Sequence, residues 1–268
     1  MWFAVALGLV QGAAEFLPVS SSGHLALLQA FFPSLAPEDS LLFDVLLHLG
    51  TLVSLTAVFR RELGAALRAA VPLPRRGRDG EEGRRLLRLL ALGTLPLGLV
   101  LPVKGWIEGR NGDARFIGAC LLLNGGLLYI CDRVVAGRRR MSSAGAGEAL
   151  GVGLAQAFAA LPGISRSGST VTAGVLCGLE RSEAVRYSFL LSFPAVLGAC
   201  LVKLAEAARD GFDEALLLPA LAGAAAAALS GFAAIRLVSA LARRGSFRGF
   251  AFYCWALGLS AIIASFFT

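Results

Sequence analysis

Charge is what this chain has least of. Only 16% of its 268 residues are Asp, Glu, Lys or Arg, while 56% are hydrophobic, which leaves too little polar surface to keep a folded domain in water. An unusually apolar soluble helical protein would still need polar residues at helical spacing, and a stretch such as Leu216 to Leu241 has almost none. Cysteine is sparse and unpatterned. Cys120, Cys131, Cys177, Cys200 and Cys254 are scattered through apolar segments with neither metal-ligand spacing nor a disulfide framework, and they read as small buried hydrophobes. The N-terminus lacks a basic region ahead of its apolar run, and that run ends in Gln11 and Glu15 rather than at a small-residue cleavage site, so it is expected to stay in the mature chain. A net charge of +7 would suit nucleic acid if the arginines lined one face. They cluster instead in short connections between apolar runs, which points to membrane topology and away from a nucleic-acid partner.

What is abundant is hydrophobic sequence of a particular length. Stretches near the roughly 20 residues needed to cross a hydrocarbon core about 30 Å thick recur at 41–60, 89–105, 115–135, 184–206, 216–241 and 248–267. The expected fold is therefore all-α and polytopic, with six transmembrane helices surrounded by membrane lipid. Two further apolar regions, 1–34 and 147–181, are broken near their middles by a proline and a Ser-Gly run, Pro18 to Gly23 and Pro162 to Gly168. Their halves are mostly too short to span at about 1.5 Å per residue. Irregular backbone at membrane depth is tolerated only where protein or a water-filled cavity satisfies it, so both regions are expected to be re-entrant helical hairpins facing a cavity.

The connections suggest an orientation. Arg60 to Arg88, Arg138-Arg139-Arg140, and Arg243-Arg244 with Arg248 are basic and belong in the cytoplasm, whereas Glu108 to Asp113 and Asp210 to Glu214 are poorer in basic residues and belong outside. Threading the spans between these loops brings the first hairpin in from outside and the second from inside. Sequence identity supports a duplication independently. At an offset of 145 residues, Gly8, Leu9, Gln11, Ala14, Ser20, Ser22 and Gly23 fall on Gly153, Leu154, Gln156, Ala159, Ser165, Ser167 and Gly168, seven identities in sixteen positions. The expected organisation is one membrane domain, 1–268, built as an inverted repeat. Its first copy is 1–135 and its second 147–268, with the Ser-Gly loops meeting near the bilayer midplane.

Ionisable groups inside apolar segments are costly and by default face a cavity. Away from span ends they are Glu15, His24, Asp44, His48 and Arg166. Gln11 and Glu15 are four apart and share a helix face, as do Asp44 and His48; the latter two read equally well as interhelical partners. Serine, histidine, glutamate and arginine converging on one cavity suit phosphoryl transfer. A serine needs a base, which His24 or Glu15 could supply. Arg166 is a permanent planar cation able to hold phosphate oxygens bidentately. Half-helices starting near Gly23 and Gly168 would aim N–H groups and dipoles at the same anion. A carboxylate there can also hold Mg²⁺ or Ca²⁺ with the help of substrate oxygens, so Glu15 is either base or metal ligand.

Two segments, Gln11-Gly12-Ala13-Ala14-Glu15-Phe16-Leu17-Pro18-Val19-Ser20-Ser21-Ser22-Gly23-His24 and Pro162-Gly163-Ile164-Ser165-Arg166-Ser167-Gly168-Ser169-Thr170, resemble the two signatures of the bacterial undecaprenyl-diphosphate phosphatase family, associated with bacitracin resistance. The resemblance covers essentially the whole chain. It implies a multi-pass protein of the bacterial inner membrane, opening toward the outer face, that hydrolyses a polyprenyl diphosphate to the monophosphate and inorganic phosphate with a divalent cation and so recycles the carrier of cell-wall synthesis. Carried over position by position, it implies Glu15, Ser21 and His24 in the first motif and Ser165, Arg166 and Thr170 in the second. The expected assignments are Ser21 as nucleophile, His24 or Glu15 taking its proton, Arg166 holding phosphate, and Gln11, Ser20, Ser22, Ser165, Ser167 and Thr170 lining the substrate. That motif's first position takes Glu or Gln and is Gln11 here, which leaves Glu15 as the motif's only carboxylate and the expected metal ligand.

Lipid phosphatases of the phosphatidic-acid type also carry a Ser-Gly-His element and an arginine. They need a second histidine shortly after that arginine, and none follows Arg166. A secondary transporter or flippase would share broken helices and midplane polar groups, but a passive anion site could do without serine, histidine and arginine together. A structural membrane subunit would leave five intramembrane ionisable groups unexplained. A homodimer is compatible with the sequence, though no motif demands it.

Overall fold

The structure is a computed structural model that describes residues 1–31, 40–71, 78–210 and 217–267. Eleven α-helices run through it: α1 Trp2–Phe16, α2 Ser21–Phe31, α3 Ser40–Ala70, α4 Arg78–Thr94, α5 Lys104–Glu108, α6 Ala114–Arg133, α7 Ala146–Phe158, α8 Arg166–Leu176, α9 Arg181–Asp210, α10 Leu217–Arg244 and α11 Arg248–Ala264. Among the described residues the only β-type pairing is an isolated bridge between Arg139 and Leu179. The protein is an all-α polytopic membrane protein.

Among the described residues five stretches are long and apolar enough to cross a bilayer: Leu42–Ala70, Gly80–Glu108, Ala114–Arg133, Arg181–Ala207 and Leu217–Arg243. The sixth expected span appears as α11, whose 17 residues reach only about 25 Å. The first expected span ends at residue 60, where α3 bends at Phe59 before continuing to Ala70. The span expected at 89–105 is not one α-helix. Pro96 and Pro102 bound a 3₁₀ segment, Leu95–Val103, because proline offers no N–H to the preceding turn and its ring crowds that turn's carbonyl. Residues 32–34 of the first hairpin, residue 216 of the fifth span and most of the Asp210 to Glu214 connection lie outside the described residues.

The two broken regions appear as short helix pairs, α1–α2 and α7–α8. Their lengths of 15, 11, 13 and 11 residues correspond to about 16–22 Å each, short of a full crossing. Each pair leans on the other half of the chain: α1 packs along α10, and α7 packs against α4 and the 3₁₀ segment that follows it. The contacts are backbone-close. A Cβ added at Gly8 would collide with the carbonyl of Gly223, and one added at Gly153 would reach the carbonyl of Gly93 at 2.5 Å. Gly8 and Gly153 are also matched positions of the 145-residue offset. Small residues at such crossings let apolar helices associate where lipid provides no hydrophobic drive.

The basic connections gather at one end of the bundle. Arg186 pairs with Glu62 at 2.8 Å, Arg85 donates to the carbonyl of Ala144, and the buried Arg181–Asp132 pair at 2.7 Å also accepts the N–H of Phe247. These bonds tie the ends of α3, α4, α6, α9 and α11 together. Directly behind the helix breaks lies the main apolar core, including Phe16, Leu55, Leu128, Val171, Phe189 and Ile235. Phe16 meets Phe189 edge-on at 5.6 Å.

Candidate active site

The first break begins at Leu17, which adopts an extended conformation (φ −64°, ψ 141°), as a residue before proline prefers. Ser20 then takes a left-handed backbone (φ 72°), the only non-glycine among the described residues to do so. Such strain persists only where surrounding bonds hold it. Here Ser20 caps α2: its Oγ accepts from Gly23 N at 3.1 Å and its carbonyl from His24 N at 3.2 Å.

The second break repeats this construction without the strain. Ser165 Oγ accepts from Gly168 N at 3.1 Å and its carbonyl from Ser169 N at 2.9 Å. The serine pairs match too, with Ser20 and Ser22 hydroxyls 3.3 Å apart and those of Ser165 and Ser167 3.1 Å apart. Ser21 and Arg166 are therefore equivalent, each the first residue of its half-helix. The first turn of a helix has N–H groups with no intrahelical partner, so α2 and α8 each present an anion-binding end beside one of these side chains.

One neutral side chain staples the two breaks together. Asn124, fully buried on α6, donates through Nδ2 to the carbonyl of Pro18 at 3.0 Å and accepts at Oδ1 from Ser165 N at 3.0 Å. Ser167 Oγ adds a bond to the carbonyl of Leu17 at 3.2 Å. Replacing Asn124 by Leu keeps most of the volume but leaves the Pro18 carbonyl and the Ser165 N–H buried without partners. At about 1–3 kcal/mol for each, we expect a thermal midpoint in detergent lower by several degrees. An unchanged midpoint would refute the staple.

Glu15 is where the two halves meet. Ser21 Oγ donates to its Oε2 at 2.7 Å, and Gln11 Nε2 donates to the same oxygen at 3.0 Å. Arg166 Nη2 lies 3.2 Å from Oε1 and also reaches the Glu15 carbonyl at 3.4 Å. Both charged side chains are largely buried, 9% exposed for Glu15 and 17% for Arg166. The two residues paired with Glu15 each keep a buried polar atom without a partner, the second guanidinium nitrogen Nη1 of Arg166 and the amide oxygen Oε1 of Gln11. A buried cationic donor left open beside two helix N-termini fits an anion, because an unmade charged hydrogen bond is expensive in the interior.

The remaining expected residues are placed differently. His24 turns away from Ser21 and Glu15: Nδ1 lies 2.7 Å from the Ser20 carbonyl and Nε2 lies 2.6 Å from the hydroxyl of Tyr253 on α11. Ser20, Ser165 and Ser167 are buried and spend their hydroxyls on caps and cross-links, while Ser22 is exposed. Thr170 is buried, bonding back to the Arg166 carbonyl at 2.8 Å and across to Ser188 on α9 at 2.6 Å. On α3, His48 Nδ1 bonds the Asp44 carbonyl at 2.7 Å, and Asp44 pairs with Lys203 on α9 at 3.5 Å. Asn124, Tyr253, Ser188 and Lys203 were not expected from the sequence. A polar residue in the middle of an expected span was the available signal for Asn124.

The family described as bacitracin resistance protein BacA matches residues 4–260. Among similar proteins, one from Syntrophotalea carbinolica named undecaprenyl-diphosphatase is 41% identical over 256 residues, covering 95% of each chain. One of the same name from Rubrobacter xylanophilus is 41% identical over 264 residues, 98% of this chain and 96% of that one. A third, from Desulforapulum autotrophicum, is 38% identical over 280 residues and 99% of both.

Proposed function

This chain belongs to the bacitracin resistance protein BacA family, and we propose that it is an integral membrane phosphatase that hydrolyses undecaprenyl or another polyprenyl diphosphate to the monophosphate and inorganic phosphate. The observation that carries this reading is the triad at the helix breaks: Ser21 Oγ 2.7 Å from one oxygen of Glu15 and Arg166 3.2 Å from the other. Of the three adjacent serines, Ser21 alone has its hydroxyl on a carboxylate, so it is the nucleophile. Glu15 takes its proton as Oγ bonds to the terminal phosphorus. His24 is unsuited to that step, because neither of its ring nitrogens bonds Ser21. Arg166 Nη1 and the first-turn N–H groups of α2 and α8 hold the non-bridging oxygens, where charge builds as the anhydride bond breaks. The lipid monophosphate leaves, and water then hydrolyses the phosphoserine.

A divalent cation, Mg²⁺ or Ca²⁺, belongs to this proposal. Among the described residues no group of three or more His, Cys, Asp and Glu side chains could hold a metal. Glu15 and the unpartnered Oε1 of Gln11 are nonetheless two oxygen donors on one helix face. They fit an ion that takes its other ligands from the diphosphate. Bound there, it would supply positive charge to the phosphate oxygens.

The matched caps and the reciprocal packing of α1 on α10 and α7 on α4 support an inverted repeat of residues 1–135 and 147–268. The basic end of the bundle supports a cytoplasmic location for that end, with the site opening to the outer face of the inner membrane. Release of the monophosphate there would recycle the lipid carrier for cell-wall synthesis and confer bacitracin resistance. All the residues of the triad come from one chain, so the chemistry does not require a dimer.

The test is phosphate release from farnesyl diphosphate or a longer polyprenyl diphosphate by purified protein in detergent. Activity should disappear with a chelator and return with Mg²⁺ or Ca²⁺. A wild-type protein inactive with every divalent cation would overturn the phosphatase reading in favour of a transporter on the same scaffold.

A further inference from the structure

Tyr253 has no part in the steps above, yet it makes one of the short side-chain hydrogen bonds that cross the molecule, 2.6 Å from Oη to His24 Nε2 over 229 residues of sequence. The two ring planes are nearly parallel, 4° apart with centroids at 5.6 Å. The other nitrogen, Nδ1, faces the Ser20 carbonyl at 2.7 Å, and a carbonyl can only accept. A neutral His24 thus carries its hydrogen on Nδ1 and accepts the phenolic hydrogen at Nε2.

A tyrosine on a membrane helix is ordinarily an interfacial anchor. Tyr253 is 46% exposed and lies within α11, more than a turn from its start. Its neighbour Cys254 is fully buried and contacts Asn124 Nδ2 at 3.3 Å and the Pro18 carbonyl at 3.9 Å, which puts Tyr253 at the depth of the helix breaks. A phenol at that depth needs a partner. Its partner is His24, three residues after Ser21 on α2.

The chemistry calls for a base that Glu15 cannot be. In the first step Glu15 receives the Ser21 proton. The departing phosphate monoester, with a second pKa of about 6, needs no proton to leave. In the second step the leaving group is the Ser21 alkoxide, far more basic, and the proton on Glu15 is the one it takes back. Glu15 is therefore an acid at that moment, and the attacking water needs another group to receive its proton.

We propose that the Tyr253–His24 pair is that second base, an inference that rests on the phosphatase reading. As the water oxygen bonds to phosphorus and the phosphorus–Oγ bond breaks, a water proton passes to Tyr253 Oη and the phenolic proton passes to His24 Nε2. Oγ takes the proton of Glu15. The products are inorganic phosphate, restored Ser21 and Glu15, and an imidazolium whose Nε2–H donates to Oη and whose Nδ1–H still donates to Ser20. Neither ring has to turn. His24 then returns its proton to solvent through the phenol.

Rapid-mixing kinetics with farnesyl diphosphate test this on wild type, Tyr253→Phe and His24→Gln. Removing the second base should leave phosphorylation of Ser21 intact and slow its hydrolysis by ~10²-fold or more, the scale of general base catalysis. Each variant should then show a burst of about one farnesyl monophosphate per protein before a slow steady rate. kcat and KM should fall together while kcat/KM stays constant, because kcat/KM reports only the steps up to phosphoryl transfer. Label from the terminal phosphate should accumulate on Ser21. Loss of the burst, or a fall in kcat/KM matching that in kcat, overturns the proposal, as does an unchanged kcat. If Tyr253→Phe fails to fold, His24→Gln provides the same readout. Wild-type turnover in the same assay separates the two ideas: with wild type active, the variants bear on the pair alone, and a wild type that never turns over overturns both.

Discussion

Ser21→Ala should lower phosphate release by ~10³-fold or more, the scale on which loss of a covalent nucleophile is felt, with little change in folding. The hydroxyl it removes is half-buried and makes one bond, to Glu15 Oε2. Glu15 keeps Gln11 and Arg166 as partners, so no buried charge is stranded. The neighbouring serines should behave in the opposite way. Ser20→Ala removes the α2 cap from a residue already held at φ 72°, which should cost about 1 kcal/mol of stability or somewhat more and leave the nucleophile in place. Ser22→Ala removes an exposed hydroxyl whose partner is Ser20, and both effects should be small. Initial rates and thermal midpoints of the three variants, measured side by side, separate chemistry from capping. A Ser21→Ala protein with wild-type turnover would remove the phosphoserine from the mechanism.

That the three serines divide this way was not legible in the sequence, where they are simply adjacent. What distinguishes them is backbone conformation, which depends on Pro18 and on bonds from other helices. The breaks themselves were legible, because proline and glycine runs interrupt helices for local reasons. So were Glu15 and Arg166, whose charge is conspicuous in an apolar run. Three of the four residues missed, Asn124, Tyr253 and Ser188, are neutral. Asn124 and Tyr253 carry no charge to mark them, and their partners lie 106 and 229 residues away. Charge alone is too narrow a signal here, since a mid-span asparagine in lipid must find partners just as a charged group must. The 3₁₀ segment after α4 was missed for another reason: Pro96 and Pro102 are visible, but the leucines and valines around them keep the run apolar across the break they impose.

Arg166 should have the second large effect, and its variants should separate two duties of one guanidinium. Nη2 pairs with Glu15, and the buried, unpartnered Nη1 is the donor the proposed mechanism assigns to the phosphate. Arg166→Leu abolishes both, stranding a buried carboxylate at a cost of about 3–5 kcal/mol, so it should be poorly folded as well as inactive. Arg166→Lys keeps a positive charge near Glu15 and should fold close to normally. A lysine is a point charge without the planar fork, so it cannot hold Glu15 and a phosphate oxygen in fixed directions together. We expect its kcat/KM to fall by ~10²-fold, the scale on which losing one oriented oxyanion donor is felt. The pair Arg166→Leu with Glu15→Gln closes the argument. Removing both charges should restore stability relative to Arg166→Leu alone, since the stranded carboxylate is gone, while activity stays absent because base and phosphate ligand are both lost. Thermal midpoints and phosphate release read the two duties independently, and an Arg166→Lys enzyme with wild-type kcat/KM would show that the site needs only a charge.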